Sequence, residues 1–406
     1  MKQPRPYPVY AVTPKAERSL TAGHPWVYGE EIIREPETAP ENGALVDVVS
    51  RRGSYLGTGL LSLHSKIRIR LLSRSANDRF DEAFWRRRLE YAWAYRRTVM
   101  GPEDLDCCRI VFGEADQLPG LTVDRFHDIL VTQTMSYGME LRKDVIFPAL
   151  AEVLRADGQE IRGIYERNDV PLREREGLAE GKGWYRLPGE EPPAETRTLI
   201  RENGVAYEVD FESGQKTGFF LDQKYNRAAA ARIAPGKSVL DCFTHTGSFG
   251  LNCAKAGAKR VHSVDVSETA IACAKENAAR NGLSVEYEVA NVFDLLPNLT
   301  PGEYDYIILD PPAFTKSGKT VKNAERGYKE INYRAMKALP RGGYLATCSC
   351  SHFMTDALFR KMLQSAARDA QVELRLVEAR AQGPDHPILW NVPETDYLKF
   401  YIFQVV

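Results

Sequence analysis

The stretch from Lys237 to Asp265, KSVLDCFTHTGSFGLNCAKAGAKRVHSVD, constrains the fold more than any other part of the 406-residue chain. A buried strand over Ser238–Asp241 runs into a turn closed by Gly247. An Ala- and Leu-containing helix follows to about Lys255, and a second strand over Arg260–Val264 ends on an acid. This βαβ unit predicts an α/β domain with a doubly wound, Rossmann-like sheet. In such folds the first turn cradles a nucleotide-bearing ligand, and an acid about 20 residues on accepts hydrogen bonds from the ribose hydroxyls. Asp265 lies 18 residues after Gly247. The turn Asp241-Cys242-Phe243-Thr244-His245-Thr246-Gly247 carries one glycine, whereas the GxGxxG pattern brings backbone against a pyrophosphate, so a dinucleotide is disfavoured. A nucleoside without phosphates fits better, and S-adenosylmethionine (SAM) is one, offering adenosine to the acid and a zwitterionic amino acid to the turn. A plain strand–helix–strand crossover with a chance acid would show the same pattern.

The length exceeds one ordinary core and predicts two or three domains. A hydrophobic content of 43% excludes disorder. The N-terminal MKQPRPYPVYAVTPKAERSL has no apolar signal region, and no run of about 18 apolar residues occurs, so a cytoplasmic protein without membrane partners is expected. Seven cysteines without a CxxC pair indicate neither a disulfide framework nor a metal site. The net charge of −1 conceals an asymmetry: residues 1–100 hold 17 Lys and Arg against 11 Asp and Glu, and the remainder holds 37 against 44. A basic N-terminal part on an acidic body is consistent with a local polyanion footprint, as it is with an ordinary solvated surface.

The first segment, 1–74, reads as a small β-barrel from the alternating runs 44–49, 55–60 and 66–72. Lys66, Arg68 and Arg70 share one face of the last strand by period two and predict a basic ridge that tracks RNA phosphates; an exposed strand face without a ligand is the plainer alternative. Residues 75–195 hold an amphipathic linker helix (81–99) with an Arg-rich side opposite its apolar one. A small α/β unit follows, read as two antiparallel strand pairs on one helix, before a Gly/Glu/Pro-rich stretch at 181–195. In the final domain, 196–406, strands end at Asn291, at Asp310-Pro311-Pro312 and at Cys348-Ser349-Cys350-Ser351, so each delivers polar chemistry at its carboxyl end. Asp310-Pro311-Pro312-Ala313-Phe314 presents a carboxylate and the Phe314 ring on a rigid loop, an arrangement suited to a flat base, though a structural Pro-Pro turn is the alternative.

These residues carry a resemblance. The chain is similar over nearly its whole length to the bacterial large-subunit (23S) ribosomal RNA methyltransferases that form 5-methylcytosine. Those proteins join an N-terminal PUA domain, a small α/β central domain and a C-terminal class I SAM-dependent methyltransferase domain. The matching pieces, in family order, are 23–27 (GHPWV), 113–125 (GEADQLPGLTVDR), 216–223 (KTGFFLDQ), 242–249 (CFTHTGSF), 310–314 (DPPAF), 349–351 (SCS) and 385–387 (DHP). The resemblance implies SAM as cofactor, held by Asp222, Gln223, Phe243, Thr244, Gly247, Asp265, Asn291 and Asp310. Asn291 stands where many family members have an acid. It also implies ribosomal RNA as partner, contacted by the PUA-like barrel, and leaves a homodimer open.

Carbon 5 of cytosine is a poor carbanion, so the chemistry asks for a thiolate adding to C6 to make C5 nucleophilic. Cys350, which matches the Ser-Cys-Ser piece and lies nearer the carboxyl edge than Cys348, is the expected nucleophile, with Asp310 as the acid near N3. Many RNA cytosine-C5 enzymes carry a second cysteine in the Asp-Pro-Pro region where this chain has Ala313. Two alternatives remain: methylation of a guanine or adenine amino group, and a non-catalytic RNA-binding assembly factor.

Overall fold

In the computed structural model, which describes residues 5–315 and 317–406, the chain forms two compact units. One comprises residues up to Ile200, Val209–Leu221 and Pro384–Thr395; the other comprises Arg201–Glu208, Asp222–Gly383 and Asp396–Val406. Within the first unit, β-branched runs give a six-stranded sheet of β1 (Val9–Val12), β2 (Trp26–Tyr28), β3 (Ile32–Arg34), β4 (Leu45–Val49), β5 (Tyr55–Leu61) and β6 (Ile67–Ser73), ordered β2-β6-β5-β4-β1-β3. Val12, Val27, Val46, Val48 and Ile69 gather in its core. The strands β1 and β3 are too short to announce themselves by alternation.

The same unit holds a second sheet of β7 (Cys107–Phe112), β8 (Leu121–Phe126), β9 (Ile129–Thr134), β10 (Gly163–Arg167) and β11 (Lys182–Tyr185), ordered β11-β10-β9-β8-β7. Two expectations fail here. β9 and β10 run parallel, because the Lys143–Ala156 helix between them is a crossover rather than a cap on two hairpins. β11 also pairs with β10 where the Gly/Glu/Pro-rich linker was expected to begin. The linker helix is Glu82–Val99, with Asp81 accepting from the Phe84 N–H at 3.0 Å. Its Arg-rich side is not uniformly solvated. Arg96 is fully buried, its guanidinium paired with Asp116 and donating to the carbonyls of Arg109 and Asp385, both at 2.8 Å. With a fifth, longer bond to the Ala92 carbonyl at 3.3 Å, all five guanidinium donors meet fixed acceptors, which makes this burial tolerable.

Strands β12 (Arg197–Glu202) and β13 (Val205–Asp210) form a two-stranded sheet. The second unit is built on β14 (Ser238–Cys242), β15 (Arg260–Asp265), β16 (Glu286–Val289), β17 (Tyr306–Leu309), β18 (Tyr344–Ser349), β19 (Leu374–Arg380) and β20 (Lys399–Val405). Their order is β16-β15-β14-β17-β18-β20-β19; the first five are parallel and β20 is antiparallel to both neighbours. Helices Ser248–Lys255, Glu268–Arg280 and Val321–Ala338 connect the parallel strands, and all of Tyr306–Leu309 is buried, as a strand covered on both faces requires. The strand order reverses between β14 and β17, which opens a crevice at their carboxyl ends. Among the described residues, no helix is long and apolar enough to cross a membrane.

Candidate active site

The loop leaving β14 is tied down from below by one carboxylate. Asp241 is fully buried; its Oδ2 accepts from the Gly250 N–H at 2.8 Å, the Thr244 hydroxyl and, more weakly, the Ser263 hydroxyl at 3.4 Å. Burial pushes the Asp241 carboxyl up to about 7 against these donors, and the Asp310 charge adds to the rise. Its second oxygen, Oδ1, is buried with no partner among the described residues. The pull of Asp241 keeps the loop in an uncommon path: Phe243 (φ 63°) and His245 (φ 50°) both take left-handed backbone that side-chain-bearing residues rarely adopt. Gly247 (φ 85°) then opens the Ser248–Lys255 helix, and a Cβ there would lie 3.0 Å from Ala274 and 3.1 Å from the Tyr287 hydroxyl. Sequence reasoning named this turn but passed over Asp241; an acid one residue before the end of the strand was the available signal.

Asp265 ends β15 and binds the loop from the side. Its Oδ2 accepts from the His245 N–H at 2.9 Å and its Oδ1 from the Ser267 N–H at 3.0 Å, so one lone pair on each oxygen is left for a ribose hydroxyl. Asn291 is exposed and caps the Val292–Leu295 helix, with Oδ1 accepting from the Phe293 N–H at 3.1 Å. That cap commits the side-chain carbonyl and leaves the amide as a donor.

Next to the crevice, Asp310 follows β17 and accepts from Gln223 Nε2 at 3.0 Å, while Gln223 Oε1 accepts from Asn226 at 2.7 Å. Asp222, itself buried, accepts from the Tyr397 hydroxyl at 2.6 Å. Asp310 keeps some exposure, yet burial of its carboxyl pushes it up to about 6. The charge of Arg227 opposes the rise and that of Asp222 promotes it. Asp222, Gln223 and Asp310 thus converge, and so do Phe243, Thr244, Gly247 and Asp265.

Cys348 and Cys350 differ in burial. Cys348 lies within β18 and is fully buried; burial pushes its thiol well up, and the neighbouring Asp310 charge raises it further. Cys350 lies one residue beyond the strand and is only half-buried. Beside it stands Lys399, which sequence reasoning missed: a buried lysine opposite Ser349 in the β18–β20 register, donating to the carbonyls of Ser351 (2.6 Å) and Tyr397 (2.8 Å). Burial pushes its ammonium down to about 8, against the pull of Cys350, Asp396 and Asp356. Only an antiparallel return strand brings Lys399 here, and its register is not written in local periodicity. Phe314 is half-buried and packs on Tyr328 (ring centroids 4.6 Å apart) and Phe293 (5.8 Å), so part of its ring is committed to protein.

The expected basic ridge is not formed. Lys66 is exposed but precedes β6; Arg68 is half-buried, with Nη1 donating to the Ser62 and Leu63 carbonyls; Arg70 is buried against Glu176 at 2.9 Å. Arg68 falls at a register shift between β2 and β6, and carbonyls and a carboxylate on neighbouring segments take up the charge of Arg68 and Arg70. Among the described residues no group of three or more His, Cys, Asp or Glu can hold a metal ion.

A seven-stranded sheet with an antiparallel seventh strand, a single-glycine turn and an acid closing the second strand define a class I SAM-dependent methyltransferase. The family model described as S-adenosylmethionine-dependent methyltransferase matches residues 183–403, and that of a PUA-like domain matches residues 11–74. The ribosomal RNA large subunit methyltransferase I of Shewanella denitrificans is 43% identical over 97% of this chain and 98% of that protein, and its Tolumonas auensis counterpart is 41% identical over 96% and 97%. The chain belongs to the ribosomal RNA large subunit methyltransferase I family. In fold it matches a Streptococcus mutans structure assigned to the SAM-dependent methyltransferases (TM-score 0.80, 23% identity, 98% of this chain and 100% of that one). A methyltransferase solved with SAH matches equally well (TM-score 0.81, 22% identity, 98% and 100%). The protein uses SAM.

Two outcomes follow. Replacing Gly247 by Ala forces a Cβ onto left-handed backbone and into Ala274, costing about 1–3 kcal/mol; SAM affinity measured by calorimetry should fall by tenfold or more in a protein that remains folded. The raised carboxyls of Asp241 and Asp310 carry a sign for stability. Their neutral forms stabilise the ligand-free fold fully below about pH 3.9, the ordinary carboxylate value, and this contribution is lost as pH rises through about 6 and 7. Urea unfolding between pH 5 and 8 should therefore show stability falling with pH, and Asp241→Asn should flatten that fall; an unchanged slope in the variant would refute the assignment.

Proposed function

We propose that the chain transfers a methyl group from SAM to C5 of a cytosine in large-subunit ribosomal RNA, with Cys350 as the nucleophile and Asp310 as the acid. The observation that carries this reading is the contrast at the end of β18: the deeper thiol is sealed and held neutral, while the half-buried one sits beside a buried ammonium. A reactive cysteine needs access and a neighbouring positive charge, and of the two only Cys350 has both. The residues around the turn fit SAM: the free lone pairs of Asp265 ask for donors, which the ligand's ribose hydroxyls provide.

SAM, when bound, supplies an electrophilic methyl group. The Cys350 thiolate, paired with the Lys399 ammonium, forms a bond to C6 of the base. The C5–C6 π electrons shift toward C5 and the ring, and N3 takes the proton of Asp310, whose carboxyl, raised to about 6, keeps a protonated fraction near neutrality. C5 then takes the methyl group, the C5 proton leaves to water, N3 returns its proton to Asp310, and the C6–S bond breaks to restore the thiolate. Ala313 offers no acid or base for the release step. Phe314 keeps enough exposed ring to support one face of the base. The similarity to proteins named for ribosomal RNA supports the large-subunit substrate, and we place the reaction in the cytoplasm.

RNA carrying 5-fluorocytidine at the target should trap a covalent complex, because fluorine cannot leave C5 as a proton does. Cys350→Ala should abolish trapping and methylation, whereas Cys348→Ala should retain both. A folded Cys350→Ala protein that still methylates cytosine C5 would remove the nucleophile from this account.

A further inference from the structure

Three of the segments shared with the family belong to the first unit, where they converge. There they build a cavity of about 950 Å³, the size of a small-molecule site, into which Trp26, Phe112, Glu114 and Glu176 face. Segment 23–27 contributes Trp26, segment 113–125 contributes Glu114 and Gly120, and segment 385–387 braces the wall, with His386 packed on Phe112 at 5.4 Å and Asp385 accepting from the Arg109 N–H at 2.9 Å.

The polar floor is a fixed network. Trp26 and Arg70 are cross-strand partners in the β2–β6 register. The Trp26 indole N–H donates to Glu114 Oε1 at 2.9 Å; Arg70 lies 3.9 Å from that oxygen and donates to Glu176 Oε1 at 2.9 Å. The indole plane is thereby held in one orientation, as a stacking platform requires. Glu176 is 3% exposed, and its other oxygen, Oε2, is buried with no partner among the described residues. A buried carboxylate oxygen left unpaired is costly unless a ligand donor completes it.

Charge narrows the ligand. Lys66, Arg70 and Arg175 are balanced by Glu114, Glu176 and Glu394 around the cavity, which disfavours a polyphosphate. Lys66 and Arg175 are exposed, so their charge is free for one backbone phosphate at the rim, while the carboxylates lie at the floor with the aromatic walls. We infer that this cavity binds a single unpaired nucleotide of the substrate RNA, stacked on Trp26, and prefers a base bearing an exocyclic amino group for Glu176 over uracil. The inference rests on RNA being the substrate and adds a second reading position, distinct from the methylated base. Aromatic stacking with a carboxylate acceptor and a rim cation is how single-stranded RNA is held without a duplex.

The test uses the full chain and fluorescein-labelled hexamers A6, C6 and U6, followed by fluorescence anisotropy. A6 and C6 should bind at least about tenfold more tightly than U6. Trp26→Ala and Lys66→Glu should each weaken A6 and C6 binding about tenfold with SAM affinity unchanged. Lys66 is exposed, so its variant carries the test should Trp26→Ala misfold. Equal binding of all three hexamers overturns the base preference, and unchanged affinity in the folded variants overturns the cavity. No methyl transfer enters these readouts, so a chain that modified another atom would still pass, and a cytosine-C5 enzyme lacking this site would fail here alone.

Discussion

A carboxylate sealed beneath a turn is the constraint on which the site depends. Asp241 gathers the Thr244 hydroxyl and the Gly250 N–H onto one oxygen, and that inward pull holds Phe243 and His245 in left-handed backbone. The strain at two such residues is of the order of 1–3 kcal/mol each, and several hydrogen bonds to one buried carboxyl offset it. Asp265 ties the same loop from the neighbouring strand through the His245 N–H. Protein groups thus fix the shape of the loop, and the lone pairs that Asp265 leaves open are those a ribose would fill.

A comparable logic separates the two cysteines. β18 is buried from Leu345 to Ser349 and Cys350, one residue past its end, is half-buried, so a shift of two residues changes a sealed thiol into a partly exposed one. The antiparallel return of β20 then sets a buried lysine at that edge. Lys399 gives up much of its hydration, and its two carbonyl partners recover only part of it, which accounts for the fall in its ammonium to about 8. A lysine that holds or gives up a proton near neutrality suits the proton exchange that a thiol nucleophile needs.

Much of this could be read from residue order. The helix beginning near Asp81 and the strand that ends at Asp310-Pro311-Pro312 were legible, because apolar runs bounded by turns are local signals. What escaped was long-range pairing. β9 and β10 run parallel because a helix separates them, and β11 joins a sheet from within a Gly- and Pro-rich stretch. Arg70 and Arg96 look like surface charge in sequence, yet each meets carboxylates at least 20 residues away, Glu176 and Asp116. Lys399 gave no sign of its role for the same reason. The resemblance placed the SAM segments, but the physical work of Asp241 and Lys399 became visible only once the strands were paired.

The central claim is that methylation falls on C5 of cytosine. The direct measurement is to incubate the purified chain with large-subunit ribosomal RNA and SAM bearing a trideuterated methyl group, digest the RNA to nucleosides and separate them by chromatography with mass spectrometry. The account predicts the heavy label in 5-methylcytidine. Label in N4-methylcytidine, or in a methylated guanosine or adenosine, would contradict it.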